Sequence, residues 1–200
     1  MSAPPDFESL YRSDPDPWRV ETCWYEQRKI DVVLACLGQR RYALAWDPAC
    51  GTGHLARRLA ARADRVCAGD ASAMATELTR ERCADLADVV VGEHTLPDPP
   101  PADLDGSPDL IVLSEVFYYL DDVKRQQTLQ MVNRHAAARC ELVCVHWRHA
   151  PDDAWLSGAG AQTEVVTRLT QRGWSHSVHH RDAEFSLDLL QRSERPGRAR

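Results

Sequence analysis

Two hydrophobic periods alternate along the chain. Short apolar stretches at Ala43–Trp46, Arg65–Ala68, Val89–Val91, Leu110–Leu113 and Glu141–His146 read as strands. Helical spacing lies between them. Glu21–Leu37 places Ile30, Val33, Leu34 and Leu37 on one face, and Thr52–Ala63 turns Leu55 and Leu59 inward. Ala73–Cys83 follows Ser72, a good N-cap, and Asp121–Ala138 completes the series. The unbroken apolar run Leu110-Ile111-Val112-Leu113 is what a strand buried on both faces requires. Strand and helix in alternation predict an α/β fold with a doubly wound, mostly parallel, Rossmann-like sheet. Beyond it, a helix over Gln162–Arg172 stops at Gly173, and strands at Ser175–His180 and Phe185–Leu190 predict a closing antiparallel hairpin, seven strands in all.

The remaining segments are punctuation. Up to about residue 20 the chain is rich in Pro and Asp (Asp14-Pro15-Asp16-Pro17-Trp18) and is expected not to form regular helix. Leu96–Pro108 is an irregular, proline-dense connection. There is no internal repeat. The expected organisation is an N-terminal cap segment and helix over 1–40, one α/β domain over 41–192, and a basic, solvated tail over 193–200.

Composition narrows the function classes. At 200 residues and 44% apolar content, one domain can bury a full core. The net charge of −6 argues against a nucleic-acid phosphate track, which needs clustered Lys and Arg. No apolar run approaches the roughly 18 residues of a membrane span. The polar, acidic start Met-Ser-Ala-Pro-Pro-Asp is not a signal peptide, so a cytoplasmic protein is the expectation. The cysteines number seven, with no Cys-x-x-Cys pair, which fits neither a disulfide framework nor a zinc knuckle. Cys140 and Cys144 are expected on one side of a strand as buried small hydrophobes.

The chemistry concentrates between Ala43 and Ala56. An apolar strand ends at Asp47, a glycine turn follows, and a helix begins near Thr52. Gly51 and Gly53 let the backbone turn sharply beside a ligand, and a helix start presents unpaired N–H groups to it. Together these form a nucleotide-cofactor cradle. Gly51-Thr-Gly53-His-Leu-Ala56 also fits the dinucleotide fingerprint, and Asp70 stands where either a reductase or a methyltransferase needs a carboxylate for ribose.

Three features separate these cofactors. Asp47-Pro-Ala-Cys50-Gly51-Thr-Gly53 resembles motif I of class I S-adenosylmethionine-dependent methyltransferases. Ala68-Gly69-Asp70-Ala71-Ser72-Ala73-Met74 resembles that superfamily's ribose-binding turn. Pro108-Asp109-Leu-Ile-Val-Leu-Ser114-Glu115-Val-Phe-Tyr118-Tyr119-Leu resembles its motif IV. Asp14-Pro15-Asp16-Pro17-Trp18, Tyr25-Glu26, Arg28 and Gly158-Ala-Gly160-Ala161 narrow the resemblance to the nodulation-protein-S family, from about residue 7 to 190. Those enzymes N-methylate the free amine of a deacetylated chitooligosaccharide. The resemblance therefore implies S-adenosylmethionine as cofactor, S-adenosylhomocysteine as product and a small-molecule acceptor, most simply an amine. O- or C-methylation, an NAD(P)-dependent reductase and an inactive methyltransferase-like binding domain stand as alternatives.

Ligands of open α/β sheets lie beyond the carboxyl ends of the strands. Asp47, Asp70, Glu93, Ser114, Glu115 and His146 are therefore expected around one crevice. Asp70 suits the ribose diol; Asp47 and the backbone near Ala49, Cys50 and Gly51 suit the ammonium of the cofactor. Glu93 or His94 could accept from the adenine amine, with Ala71 and Met74 beneath its ring and Trp18 and Tyr25 closing over it. Glu115, Tyr118, Tyr119 and His146 are the candidates to bind or deprotonate the acceptor, Glu115 first. Plainer uses exist: Asp47 and Asp70 as turn residues, Trp18, Tyr118 and Tyr119 as packing. His146 and His149 lack a third ligand nearby, and adjacent His179 and His180 face opposite sides of a strand, so no metal site is expected.

Overall fold

The computed structural model describes residues 5–102, 104 and 106–193. Its strands are β1 (Tyr42–Asp47), β2 (Ala63–Asp70), β3 (Val89–Glu93), β4 (Leu110–Ser114), β5 (Cys140–Trp147), β6 (Ser175–Arg181) and β7 (Phe185–Arg192). Its helices are α1 (Phe7–Ser13), α2 (Trp24–Cys36), α3 (His54–Leu59), α4 (Ala73–Arg82), α5 (Asp122–His135) and α6 (Gly158–Thr170), with a 3₁₀ turn at Phe117–Tyr119. The strands form one sheet in the order β3-β2-β1-β4-β5-β7-β6. β1 to β5 run parallel; β7 pairs antiparallel with both β5 and β6. The order reverses between β1 and β4, so the crevice of a doubly wound sheet opens at their carboxyl ends.

Alternation along the strands divides the core into two layers. Leu110 and Val112 pack with Val33 of α2 and with Leu55 and Leu59 of α3, whereas Ile111 and Leu113 pack with Leu129 and Val132 of α5 and with Val165 and Leu169 of α6. Cys140 and Cys144 are buried in this second layer, as expected.

Three local readings change. The helix expected over Thr52–Ala63 covers only His54–Leu59, and Ala63 opens β2. Phe7–Ser13 is helical, against the expectation for the first twenty residues. The prolines begin only at Pro15 among the residues that follow the helix, and Asp6 caps it by accepting from Ser9 N (3.1 Å) and Ser9 Oγ (2.7 Å). Proline here prevents continuation, not initiation. At the other end of the domain, α6 starts at Gly158, four residues before the expected Gln162, because the Ser157 side chain accepts from Gly160 N. Gly158 lies so close to β5 that a Cβ would sit 1.6 Å from the Trp147 carbonyl oxygen. The tail from residue 194 lies outside the described residues.

Candidate active site

The turn after β1 is built by α4 as much as by its own glycines. Gly51 (φ +54°) and Gly53 (φ +79°) are both left-handed. Thr79 Oγ1 donates to the Gly51 carbonyl (2.8 Å) and Arg82 Nε to that of Thr52 (2.7 Å). Cys50 N bonds the Gly69 carbonyl at 2.8 Å, tying the turn to β2. A Cβ on Gly53 would meet Thr79 Cγ2 at 2.7 Å, so glycine is required both for conformation and for space.

Two carboxylates stand under this turn. Asp70, at the end of β2, accepts from Gly51 N and Ser72 N, each at 3.0 Å, and burial raises its pKa. Asp47, at the end of β1, is 1% exposed. Burial, then the Asp70 charge, pushes its carboxyl up to about 7, against a backbone hydrogen bond from Ala49. Asp47 Oδ1 has no hydrogen-bond partner among the described residues. A buried carboxylate oxygen without a partner is a site for a cation or donor.

The end of β3 completes this side. Glu93 pairs with Asp70 across the strands and is exposed. His94 is buried edge-on to Trp46, with ring centroids 5.3 Å apart. Burial lowers its pKa, and its Nε2 has no partner among the described residues. A cavity of about 220 Å³ lies against Trp46, Cys67, Gly69, Glu93 and His94, closed by Pro101 and Leu104 of the irregular connection.

The N-terminal helix reaches the same turn. Glu8 Oε2 accepts from Ser72 Oγ (2.6 Å) and Met74 N (3.1 Å) at the start of α4, and these bonds lower its pKa. Tyr11 is buried, with its hydroxyl 3.0 Å from the position a Cβ on Gly51 would take. Phe7 packs edge-on to Tyr119 (5.0 Å), and Trp18, 43% exposed, packs edge-on to Tyr11 (5.6 Å). Tyr25 goes elsewhere: its ring lies beneath Lys29 Nζ (5.0 Å) and against Phe185, and its hydroxyl has no partner among the described residues.

Glu115 follows Ser114 at the end of β4 and is left-handed (φ +53°), a strained conformation for a residue with a side chain. Its Oε1 takes the Lys29 ammonium at 2.6 Å; its Oε2 accepts from the Tyr118 hydroxyl (2.6 Å) and Trp147 N (2.9 Å). Lys29 is shared with Glu26 at 2.8 Å. Desolvation pushes the Glu115 carboxyl up, but Lys29, His146 and the Tyr118 hydrogen bond outweigh it and hold the pKa below the ordinary value. Glu115 is thus ionised and weakly basic, unlike the proton acceptor expected of it. His146 is fully buried and accepts from Phe117 N at Nε2 (3.1 Å), while Nδ1 faces Gln162 Oε1 (3.4 Å). Burial lowers its pKa to about 4. Both ring nitrogens serve the fold, which does not suit proton abstraction from a ligand. Desolvation pushes the Tyr119 phenol up to about 12.

A family model described as Nodulation protein S (NodS) matches residues 8–183. The chain belongs to the nodulation protein S family. It is 28% identical to Nodulation protein S of Azorhizobium caulinodans over 82% of this chain and 81% of that one. It is 31% identical to the Bradyrhizobium diazoefficiens protein over 82% of this chain and 68% of that one. In fold it matches the crystal structure of the N-methyltransferase NodS from Bradyrhizobium japonicum WM9 in complex with S-adenosylhomocysteine. The TM-score is 0.78 at 19% identity, over 94% of this chain and 98% of that one. This NodS-family chain is accordingly an S-adenosylmethionine-dependent methyltransferase with a small-molecule acceptor, and the reductase reading of the fingerprint is set aside.

Sequence reasoning missed four supports of the site: Glu8 and Tyr11 over the turn, Thr79 beneath it, and Lys29 against Glu115. Lys29 left no distinct signal, because it stands beside Arg28 in the polar run Glu26-Gln27-Arg28-Lys29. The other three act across contacts that no local spacing encodes.

Proposed function

We propose that this NodS-family methyltransferase transfers its methyl group to the nitrogen of a small amine, an amino sugar or similar metabolite. The observation that carries the cofactor side of this reading is the open oxygen of Asp47, buried beside Asp70 under the glycine turn. An anionic, dry pocket with an unused acceptor calls for a cation, and the α-ammonium of the cofactor meets that need. Asp47 would hold that ammonium, and Asp70 the ribose hydroxyls, beside the backbone of Cys50 and Gly51. His94, its pKa lowered by burial and its Nε2 without a partner among the described residues, is suited to accept from the adenine amine, with Glu93 outside it and Ala71 and Met74 at the turn. Bound there, S-adenosylmethionine supplies an electrophilic methyl group on a sulfonium.

The chain's own contribution is then alignment and dryness. Phe7, Tyr11 and Trp18 cover the turn from the N-terminal side, and Tyr119 joins their ring cluster. Glu115 is an ionised anchor held by Lys29, Tyr118 and the Trp147 amide; it attracts and orients an amine without taking its proton. Tyr119, un-ionised well above neutral pH, can donate or accept a hydrogen bond to the acceptor but is not a base in its ground state. The amine therefore enters as its free base, and kcat/KM should climb with pH through the acceptor's own pKa. The relative from Bradyrhizobium japonicum is described as an N-methyltransferase, which supports nitrogen as the nucleophile.

The test is S-adenosylhomocysteine release over a panel of amino sugars, aliphatic amines, phenols and alcohols. Turnover confined to amines is expected. Turnover of phenols or alcohols with inert amines would overturn the proposal.

A further inference from the structure

The strand pair farthest from β3 carries a cluster that the methyl-transfer site does not use. His176 and His179 on β6 both converge on Asp188 of β7: His176 Nε2 and His179 Nδ1 each lie 2.7 Å from the same oxygen, Oδ1. Side chains three apart on a regular strand point to opposite faces. Here the register shifts between His176, opposite Leu190, and Val178, opposite Leu189, so Ser177 is an extra residue. That bulge turns both imidazoles to the face of Asp188. The carboxylate is buried, 3% exposed, while the imidazoles are 32% and 55% exposed. A buried anion is thus roofed by two nitrogen ligands at the solvent boundary.

We propose that His176, His179 and Asp188 form a binding site for one divalent transition-metal ion of the zinc type. Two imidazoles and one carboxylate, with solvent supplying a fourth ligand, are a donor set that zinc accepts and that calcium and magnesium do not favour. All three ligand atoms lie within 4.8 Å of one another. Tetrahedral bonds of about 2.0–2.2 Å would set neighbouring ligand atoms roughly 3.3 Å apart. The imidazoles must therefore withdraw by about 0.6 Å from the carboxylate, which exposed side chains can do without moving the backbone. Ligation takes the lone pairs of His176 Nε2 and His179 Nδ1, so the protons reside on His176 Nδ1 and His179 Nε2. The ion would replace two hydrogen-bond donors with a charge matched to the buried carboxylate and pin the edge strand β6 to β7 across its bulge.

The experiment uses the full chain, stripped with chelator, and follows Zn²⁺ by calorimetry and thermal melting, with Mg²⁺ and Ca²⁺ as controls. The comparison protein is the His176→Ala/His179→Ala double variant, whose changes lie at exposed positions remote from the methyl-transfer site. Wild type is expected to take up one equivalent that the variant does not. At 100 times the dissociation constant it should melt about 5–10 °C higher, with no gain for the variant. Co²⁺ in place of Zn²⁺ should give visible bands without a thiolate charge-transfer band, separating this site from the free cysteines. Equal uptake by both proteins, no uptake by either, or a thiolate band on the bound equivalent would each overturn the assignment. An ion held by Asp16, Glu21 and His54, the other group of close ligands among the described residues, would show as equal uptake.

Discussion

Replacing Asp47 with asparagine is expected to stabilise the cofactor-free protein while weakening its hold on the cofactor. Burial and the Asp70 charge raise the Asp47 carboxyl from 3.8 to about 7. The folded chain therefore binds this proton more tightly than the unfolded chain does. The stability the proton contributes is complete below pH about 4 and is lost as pH rises through about 7. At about 1.4 kcal/mol per pKa unit, the full loss is on the order of 4 kcal/mol. Asparagine does not ionise, so above pH 7 the variant escapes this loss. If half the effect survives relaxation, about 2 kcal/mol should appear as a melting temperature roughly 4–8 °C above wild type at pH 8. The advantage should vanish by pH 4. Affinity moves the other way. Removing one partner of a desolvated charge pair costs about 2–5 kcal/mol, or at least about 30-fold in the dissociation constant for S-adenosylhomocysteine. Calorimetry in buffers of different ionisation enthalpy adds a third readout. At pH 6.5, wild type should release roughly three quarters of a proton on binding, and Asp47→Asn none from this site. A variant less stable than wild type at pH 8, with unchanged affinity and unchanged proton release, would refute the electrostatic account of Asp47.

Two further substitutions test the supports of the site. Gly53→Ala combines a left-handed φ of +79° with a Cβ 2.7 Å from Thr79 Cγ2, so it should destabilise by roughly 1–3 kcal/mol and lower S-adenosylhomocysteine affinity with it. An unchanged melting temperature would mean that the turn relaxes freely. Lys29→Met leaves Glu26 and Glu115 without their shared cation, and should destabilise by about 3 kcal/mol at pH 8 in urea titrations. Glu115 has a lowered pKa in wild type, so its stabilising effect is present above its ordinary value of 4.5 and is lost as pH falls through the lowered one. The Lys29→Met deficit should therefore shrink toward pH 4, where the orphaned carboxylates take up protons. A deficit independent of pH would point to lost packing instead of lost charge.

The order of strands and helices was legible because each buried strand announces itself twice, through an apolar run and through the break that follows it. Leu110–Leu113 shows this plainly: adjacent residues feed different layers, so all four must be apolar. Where a second element supplies the stabilising contact, legibility fails. Residues 7–13 are too short to hold a helix by propensity alone. They do so because Asp6 caps them and Glu8 is received by Ser72 and Met74 at the start of α4, sixty-four and sixty-six residues on. Likewise, His179 reads as a strand residue facing away from its neighbour His180, and nothing in the pattern shows the one-residue bulge that brings His176 to the same carboxylate.

The site divides along the same physical line. Asp47, Gly51, Gly53 and Asp70 could be located from spacing because the turn that binds them is local and its geometry demands glycine at fixed offsets. The basicity of Glu115 could not, because a pKa is set by whatever the fold brings near, and here that is Lys29 from α2 and His146 from β5. From sequence, a carboxylate at a strand end is equally a base, an anchor or a counter-ion. The ammonium at 2.6 Å and two hydrogen-bond donors on the opposite oxygen are the basis for proposing an anchor. The left-handed backbone at Glu115 agrees, since a strained conformation persists only where surrounding contacts over-determine it. Under the proposed amine reading, a weakly basic, rigidly held carboxylate costs the enzyme little, because a free amine needs its lone pair aimed at the methyl carbon more than it needs a proton removed beforehand. Glu115→Gln should then keep the hydrogen bond from Tyr118 or Trp147 yet lose the ammonium's partner. Its effect should fall on KM for the amine and on turnover, with S-adenosylhomocysteine affinity unchanged.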